Sequence, residues 1–276
     1  MKLGMVFSSL LASSWSLAGA QSLFPTTAFM GSYGATAGAG STLGWESHAM
    51  EANPAALGLP GFGLSVAGFS PFQLQEIAIL EGLIFYDRRQ SGTSLAYHSA
   101  RIEGVSSQST WQIQESLRLG WGWSLGFGLR IREEVGWNPE IVGNSEGEIG
   151  VLWRCFRSIG MGLRWNGPLK GTDPGMARLG ADWGWSFSEG GMGLRFCGEG
   201  ATDLKHHPEW KLGMGIQLHA NLSLYSGWDQ GSHLWALGIR FGLGNWEGFH
   251  ALRRHPLLGS TTFQGLRWQH SPTKKV

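Results

Sequence analysis

The chain has little charge, little tyrosine, two cysteines and no long apolar run beyond its first segment. Asp, Glu, Lys and Arg make up 15% of the 276 residues, against about 25% in a soluble domain. A helical membrane protein needs runs of about 20 apolar residues, and none follows residue 20. Mean hydropathy is −0.10, so the chain as a whole is not greasy. The formal net charge of +1 gives no basis for nucleic-acid binding. No Cys/His/Asp/Glu spacing marks a metal centre, and no Gly-rich phosphate loop precedes a helix, so no cofactor and no metal are expected. Catalysis is not expected either. A Ser/His pair needs an orienting third group; His98 with Ser94 or Ser99 could be imagined, but nothing marks it. His206-His207-Pro208 lies in an expected loop, and His250, His255 and His270 are scattered.

What is present is glycine, tryptophan and alternation. There are 44 Gly and 15 Trp. Read in steps of two, Trp111, Ile113, Leu117, Leu119, Trp121 and Trp123 share one face, interrupted by Glu115, while Gln112, Gln114, Ser116, Arg118, Gly120 and Gly122 share the other. After Ser124 the pattern resumes, with Leu125, Phe127, Leu129 and Ile131 against Gly126, Gly128, Arg130 and Arg132. Side chains alternate across a strand, so this is a hairpin with an apolar face and a glycine-and-arginine face. An apolar face crowded with Trp, opposite a face that carries charge, suits a wall with lipid outside and a polar interior.

Most of the chain repeats that hairpin. Strands are expected at 61–69, 76–87, 92–103, 110–122, 124–134, 146–154, 158–166, 176–186, 191–198, 209–218, 221–228, 233–243, 246–254 and 260–269. An even number of spans near 10 residues each is what a bacterial barrel requires. Short turns fall near Ser124, Phe156, Glu189, Ala220 and Gly244; longer connections hold residues 138–145, 167–175 and 199–208. Short turns face the periplasm in such barrels, which would put both termini there. The fold class is therefore all-β, a transmembrane antiparallel β-barrel of about 14 strands over residues 60–270. Outer-membrane lipid is its first partner, and the bacterial outer membrane its location.

The expected lipid face continues with Ile159, Met161, Leu163 and Trp165, then Leu179, Ala181, Trp183 and Trp185. It runs on through Met192, Leu194, Phe196, Trp210, Leu212, Met214, Ile216 and Leu218 to Trp235, Leu237, Ile239 and Phe241. Several of these Trp sit at strand ends, where an interfacial girdle wants an amphipathic ring. The opposite face carries Arg118, Arg130, Arg132, Arg164, Arg178, Arg195, Lys211 and Arg240, opposed by Asp182 and a few other acids. Two readings stand: an interior that attracts anions, or basic groups that pair with those acids and with carbonyls of an internal segment.

The N-terminus reads as a secretory signal over residues 1–20, with Lys2, an apolar stretch and Ala18-Gly19-Ala20 before Gln21. Cys155 and Cys197 are expected at opposite ends of the wall, too far apart to bridge, and therefore free. Pro272 bars further strand, so residues 271–276 are expected to be a disordered tail. Residues 21–59 differ in kind. They show little alternation, a small-residue run around Gly31-Ser32-Tyr33-Gly34-Ala35, a helix-compatible piece at 45–52, and then Asn53-Pro54-Ala55-Ala56-Leu57. Non-helical backbone of this sort cannot face lipid. Pro54 sets its own φ and biases Asn53 to extended geometry, leaving the Asn53 amide to bond nearby backbone. An ordered corner against the inner wall is expected there.

This segment resembles the N-terminal hatch of the long-chain fatty-acid transporter superfamily of outer-membrane barrels; the matching positions are Asn53, Pro54, Ala55 and Leu57. Phe249-His250-Ala251, His255-Pro256-Leu257-Leu258-Gly259 and Phe263-x-Gly265-Leu266 resemble the closing hairpin of its relatives associated with type IX secretion. Ser158-Ile159-Gly160-Met161-Gly162-Leu163-Arg164-Trp165-Asn166 is similar to their recurrent strand ending in Asn. The resemblance implies a hatch or plug over residues 21–59. It also implies a secretion-associated barrel that docks a periplasmic or secreted protein. The alternative is a transporter of small hydrophobic or amphipathic molecules across the outer membrane.

Overall fold

The computed structural model describes residue 39, residues 53–56 and residues 61–270, apart from 89, 136–140, 157, 171–174, 188–191 and 203–207. The signal segment, most of residues 21–59 (the helix-compatible piece included), the loop histidines His206 and His207 and the tail therefore lie outside the described residues.

Fourteen antiparallel strands close into one barrel. In chain order they are β1 (Gly61–Ser70), β2 (Ile77–Asp87), β3 (Ser91–Ile102), β4 (Ser106–Gly120), β5 (Trp123–Val135), β6 (Ile141–Phe156), β7 (Ile159–Pro168), β8 (Met176–Ser186), β9 (Gly193–Thr202), β10 (Glu209–His219), β11 (Leu222–Asp229), β12 (Leu234–Leu243), β13 (Trp246–His255) and β14 (Gly259–His270). Each strand pairs with its chain neighbour, and β1 closes on β14 in a register from Phe62↔His270 to Ser70↔Thr262. Closure removes the sheet edge and lets the backbone groups of the wall pair with one another without water.

The expected strands map one to one onto these, with differences at their ends. Residues 141–145, expected in a long loop, belong to β6, whose pairing with β5 runs on through Gly143↔Glu133 to Ile141↔Val135. Likewise β4 begins at Ser106, paired with Ile102, and β9 continues to Thr202, paired with Ala177. In these extensions polar and apolar residues no longer alternate, so backbone pairing alone carries the ladder and periodicity is silent.

The end of the barrel that holds Gly61 and His270 also holds the two-residue connections 121–122, 220–221 and 244–245. The opposite end holds 71–76, 136–140, 169–175 and 203–208. The tight β4–β5 turn places Trp121 at φ 53°, flanked by Gly120 at 91° and Gly122 at 80°. A side chain on Gly122 would strike the carbonyl of Arg154 on β6, so glycine is required there on both counts.

The outward face is predominantly apolar around the whole barrel. Trp121, Trp123, Trp153, Trp183, Trp185, Trp246 and Trp268 gather at the end that carries the termini, and Trp111, Trp165, Trp210, Trp228 and Trp235 towards the other. Trp123 stacks on Trp153 at 5.5 Å, a cross-strand pair. Between the two rings lie Leu163, Leu212, Leu237 and Ile239, all outward and exposed. Two aromatic girdles around an aliphatic band are the outer surface of a membrane barrel.

Candidate functional site: the inner wall

The same two-residue period that exposes the apolar band turns the alternate set inward, where it is buried. The inner wall has two unlike halves. Strands β4 to β10 present charge. Strands β1 to β3 together with β13 and β14 carry the apolar clusters, with Glu81, Asp87, Arg253 and Arg267 buried among them.

The charged half is centred on Glu148 of β6, about 2% exposed. Its carboxylate meets Arg130 of β5 at 2.6 Å and Arg164 of β7 at 2.8 Å. It also accepts hydrogen bonds from Gln112 at 2.8 Å and Gln114 at 3.0 Å, both on β4. Arg130 and Arg132 reach Glu146, at 3.3 and 3.2 Å. Further round, Arg195 pairs with Asp182 at 2.6 Å, Arg178 lies 3.9 Å from Glu199 and 3.3 Å from the Met176 sulfur, and Lys211 lies 3.7 Å from Asp229. Arg240 donates to the Ser223 hydroxyl at 3.1 Å and sits 3.8 Å from Glu247. Arg118, also expected inward, lies exposed near the end of β4. Seven of the eight basic residues named from sequence thus have an acidic neighbour across a strand pair.

Sequence reading missed those acids as partners. Glu146, Glu148, Glu199, Asp229 and Glu247 fall on the glycine-and-arginine parity of their strands, which was the available signal, but pairing them requires the register between strands. It also missed Arg253 and Arg267. Their guanidiniums lie over the rings of Phe263, at 4.9 Å, and Phe85, at 5.6 Å. Arg267 additionally meets Glu247 at 2.9 Å.

This half packs Ala67, Leu83, Phe85, Ala96 and Phe249 in one cluster, and Ala251, Phe263 and Phe69, with Tyr225 of β11, in a second. His98 faces inward beside Glu81, at 3.4 Å. Ser94 donates to Gln114, and Ser99 sits on the opposite parity from His98. Among the described residues no three His, Cys, Asp or Glu side chains converge on a metal position.

Two described pieces of the N-terminal segment touch this wall. Asn53 is wholly buried, with Ala55 and Ala56 beside Leu152. The Asn53 side-chain oxygen accepts from the Ala55 N–H at 2.9 Å, and the Ala56 N–H donates to the Asn53 carbonyl at 2.9 Å, closing a turn. The Asn53 amide nitrogen reaches the carbonyls of Val151 on β6 and Leu163 on β7, both at 3.4 Å. The turn lies directly on glycine. A Cβ on Gly126 would collide with the Pro54 carbonyl, and one on Gly150 with the Asn53 side-chain oxygen. Leu57 lies outside the described residues. Ala39, also wholly buried, accepts from the Cys197 thiol at 3.4 Å. Cys197 sits in the middle of β9, not at an end of the wall, and is free. Cys155 falls at the end of β6, three strands away.

No family model and no curated protein matches the chain. Solved structures do. The CymD monoaromatic hydrocarbon channel superposes with a TM-score of 0.61 at 10% identity, over 89% of this chain and 98% of that one. Omp33, an outer-membrane protein of Acinetobacter baumannii, gives 0.56 at 8% identity, over 76% and 98%. At such identities the likeness is one of fold. With the apolar band and its two girdles, it makes this chain a porin-like barrel of the bacterial outer membrane.

Proposed function

We propose that the barrel is a gated path for small amphipathic molecules across the outer membrane, with residues 21–59 as its internal plug. One observation carries this reading: apolar clusters are gathered on one side of the inner wall and a charge-compensated network on the other. A molecule with an apolar body and a polar end can slide along such a wall with each part matched. A sugar would desolvate against Phe85, Phe249 and Phe263, and a bare hydrocarbon against the Arg130–Glu148–Arg164 network. Pairing of the basic residues with acids removes the strong positive field that an anion-selective pore needs. The likeness in fold to CymD, a channel for monoaromatic hydrocarbons, and the hatch-like motif at residues 53–56 both support transport.

Uptake into proteoliposomes tests it. The intact chain should admit small aromatic alcohols faster than sugars of equal size, and deletion of residues 21–59 should raise both rates. Equal exclusion of both solutes before and after deletion would overturn the proposal.

A second reading is favoured by the burial of residues 53–56 and of Ala39 against the wall. The interior is then filled for rigidity, and the barrel serves to dock a periplasmic or secreted protein, as the type IX-associated resemblance implies. Stable co-purification of such a partner, with no solute flux, would select it.

A further inference from the structure

Two polar side chains face outward in the middle of the aliphatic band. His250 of β13 stands opposite Ile239 of β12, between the Trp246↔Leu243 pair on one side and the Arg254↔Trp235 pair on the other. On its other flank His250 is paired with Gln264 of β14, while the girdle residues Trp246 and Trp268 pair four residue-pairs nearer the termini. Both His250 and Gln264 are exposed, and neither makes a hydrogen bond among the described residues. The outward Glu115 differs: the Thr93 hydroxyl beside it on β3 donates to it at 2.8 Å.

Hydrocarbon cannot satisfy an imidazole and a carboxamide, so an unbonded pair at this depth is expensive, and polar groups so placed face protein. Beyond Gln264 two glycines leave gaps among the exposed side chains of Val66, Leu80 and Leu266. Gly68 of β1 pairs with Gln264, and Gly82 of β2 pairs with Val66 two residues along. Side chains on Gly68 or Gly82 would meet almost nothing. Small residues beside a polar pair allow two backbones to approach within hydrogen-bonding reach in a membrane.

We infer that the outward face of β13, β14 and β1 is where a second copy of this chain docks, with His250 and Gln264 of one protomer bonded to Gln264 and His250 of the other. The occupant follows from the chemistry. Imidazole and carboxamide each carry a donor and an acceptor, so the pair complements itself. A two-fold axis along the membrane normal keeps every group at its own depth, and these two, as cross-strand partners on tilted strands, differ in depth by only about 3 Å, within the reach of their side chains. An isologous contact asks for that arrangement.

Cross-linking in the full chain tests the inference. In a Cys155→Ser, Cys197→Ser background, Gln264→Cys should form an oxidised dimer in membranes, whereas Leu163→Cys, on the far side at β7, should not. Separately, His250→Leu with Gln264→Leu should weaken dimerisation in phosphatidylcholine vesicles at least tenfold while heat-modifiable mobility is unchanged. Equal cross-linking at both positions, cross-linking at neither, a cross-link only to some other protein, or an unaltered monomer–dimer equilibrium in the double leucine variant would each overturn it.

Discussion

Glu148→Ala is the sharpest probe of the interior. The carboxylate is about 2% exposed and bonds Arg130, Arg164, Gln112 and Gln114 together. Removing it leaves Arg130 with Glu146 at 3.3 Å and takes one buried carboxylate, at 2.8 Å, from Arg164. Breaking a buried pair from one side costs about 3–5 kcal/mol, because a charge is stranded away from water. That is roughly a hundredfold to several-thousandfold in the folding equilibrium. If water filled the barrel at this level, the pair would behave like a surface one and its loss would cost about 0.2–1 kcal/mol. Urea unfolding in vesicles, followed by tryptophan fluorescence and heat-modifiable mobility, separates the two ranges. Glu148→Leu combined with Arg164→Met should recover much of the loss, since replacing a buried pair by hydrocarbon is often near neutral. A single-variant cost below about 1 kcal/mol would refute the idea of a dry, mutually compensated network.

Asn53→Ala should cost about 1–3 kcal/mol of segment stability by unpairing buried groups; the measurable sign is faster proteolysis within residues 21–59 while the wall stays heat-modifiable. Gly150→Ala should act the same way, since its methyl would fall on the Asn53 side chain, whereas Gly143→Ala, with nothing within 4 Å, should be silent. In a Cys155→Ser background, Cys197 is expected to resist maleimide until the barrel is unfolded, because its thiol is buried against Ala39; prompt labelling in the folded state would show an open path to β9. Ile239→Arg, at the centre of the lipid band, should lower stability by about 2–4 kcal/mol, and an unchanged unfolding midpoint would place that residue outside the membrane.

The wall was legible because it obeys one rule over its whole length. Runs such as Leu125, Phe127, Leu129 and Ile131 against Gly126, Gly128 and Arg130 leave no other period open, and every expected strand has its counterpart. Legibility failed where the rule stops. The first residues of β6 no longer alternate, so only their pairing with β5 identifies them as strand. The inward parity of Arg130 and Arg164 could be read, but their common partner could not. Glu148 meets them because β5, β6 and β7 stand in one register, a property of pairs of strands. The same holds for the two halves of the interior. Phe85 is far in sequence from Phe249 and Phe263 and shares a wall with them only because β1 closes on β14. The turn at residues 53–56 was readable from its own chemistry, while its seat on Gly126 and Gly150 needed the barrel to exist first.

Glu148 binds side chains from β4, β5 and β7 while sitting on β6 itself, so a single carboxylate stitches four consecutive strands. Those strands are rich in glycine, and glycine-rich strands specify their alignment poorly. A slip of one residue anywhere among them would turn Glu148 or an arginine outward into lipid and break several bonds at once. The cluster therefore favours a single alignment: a hairpin out of register leaves its charges unmatched, and only in the observed register do all four strands agree.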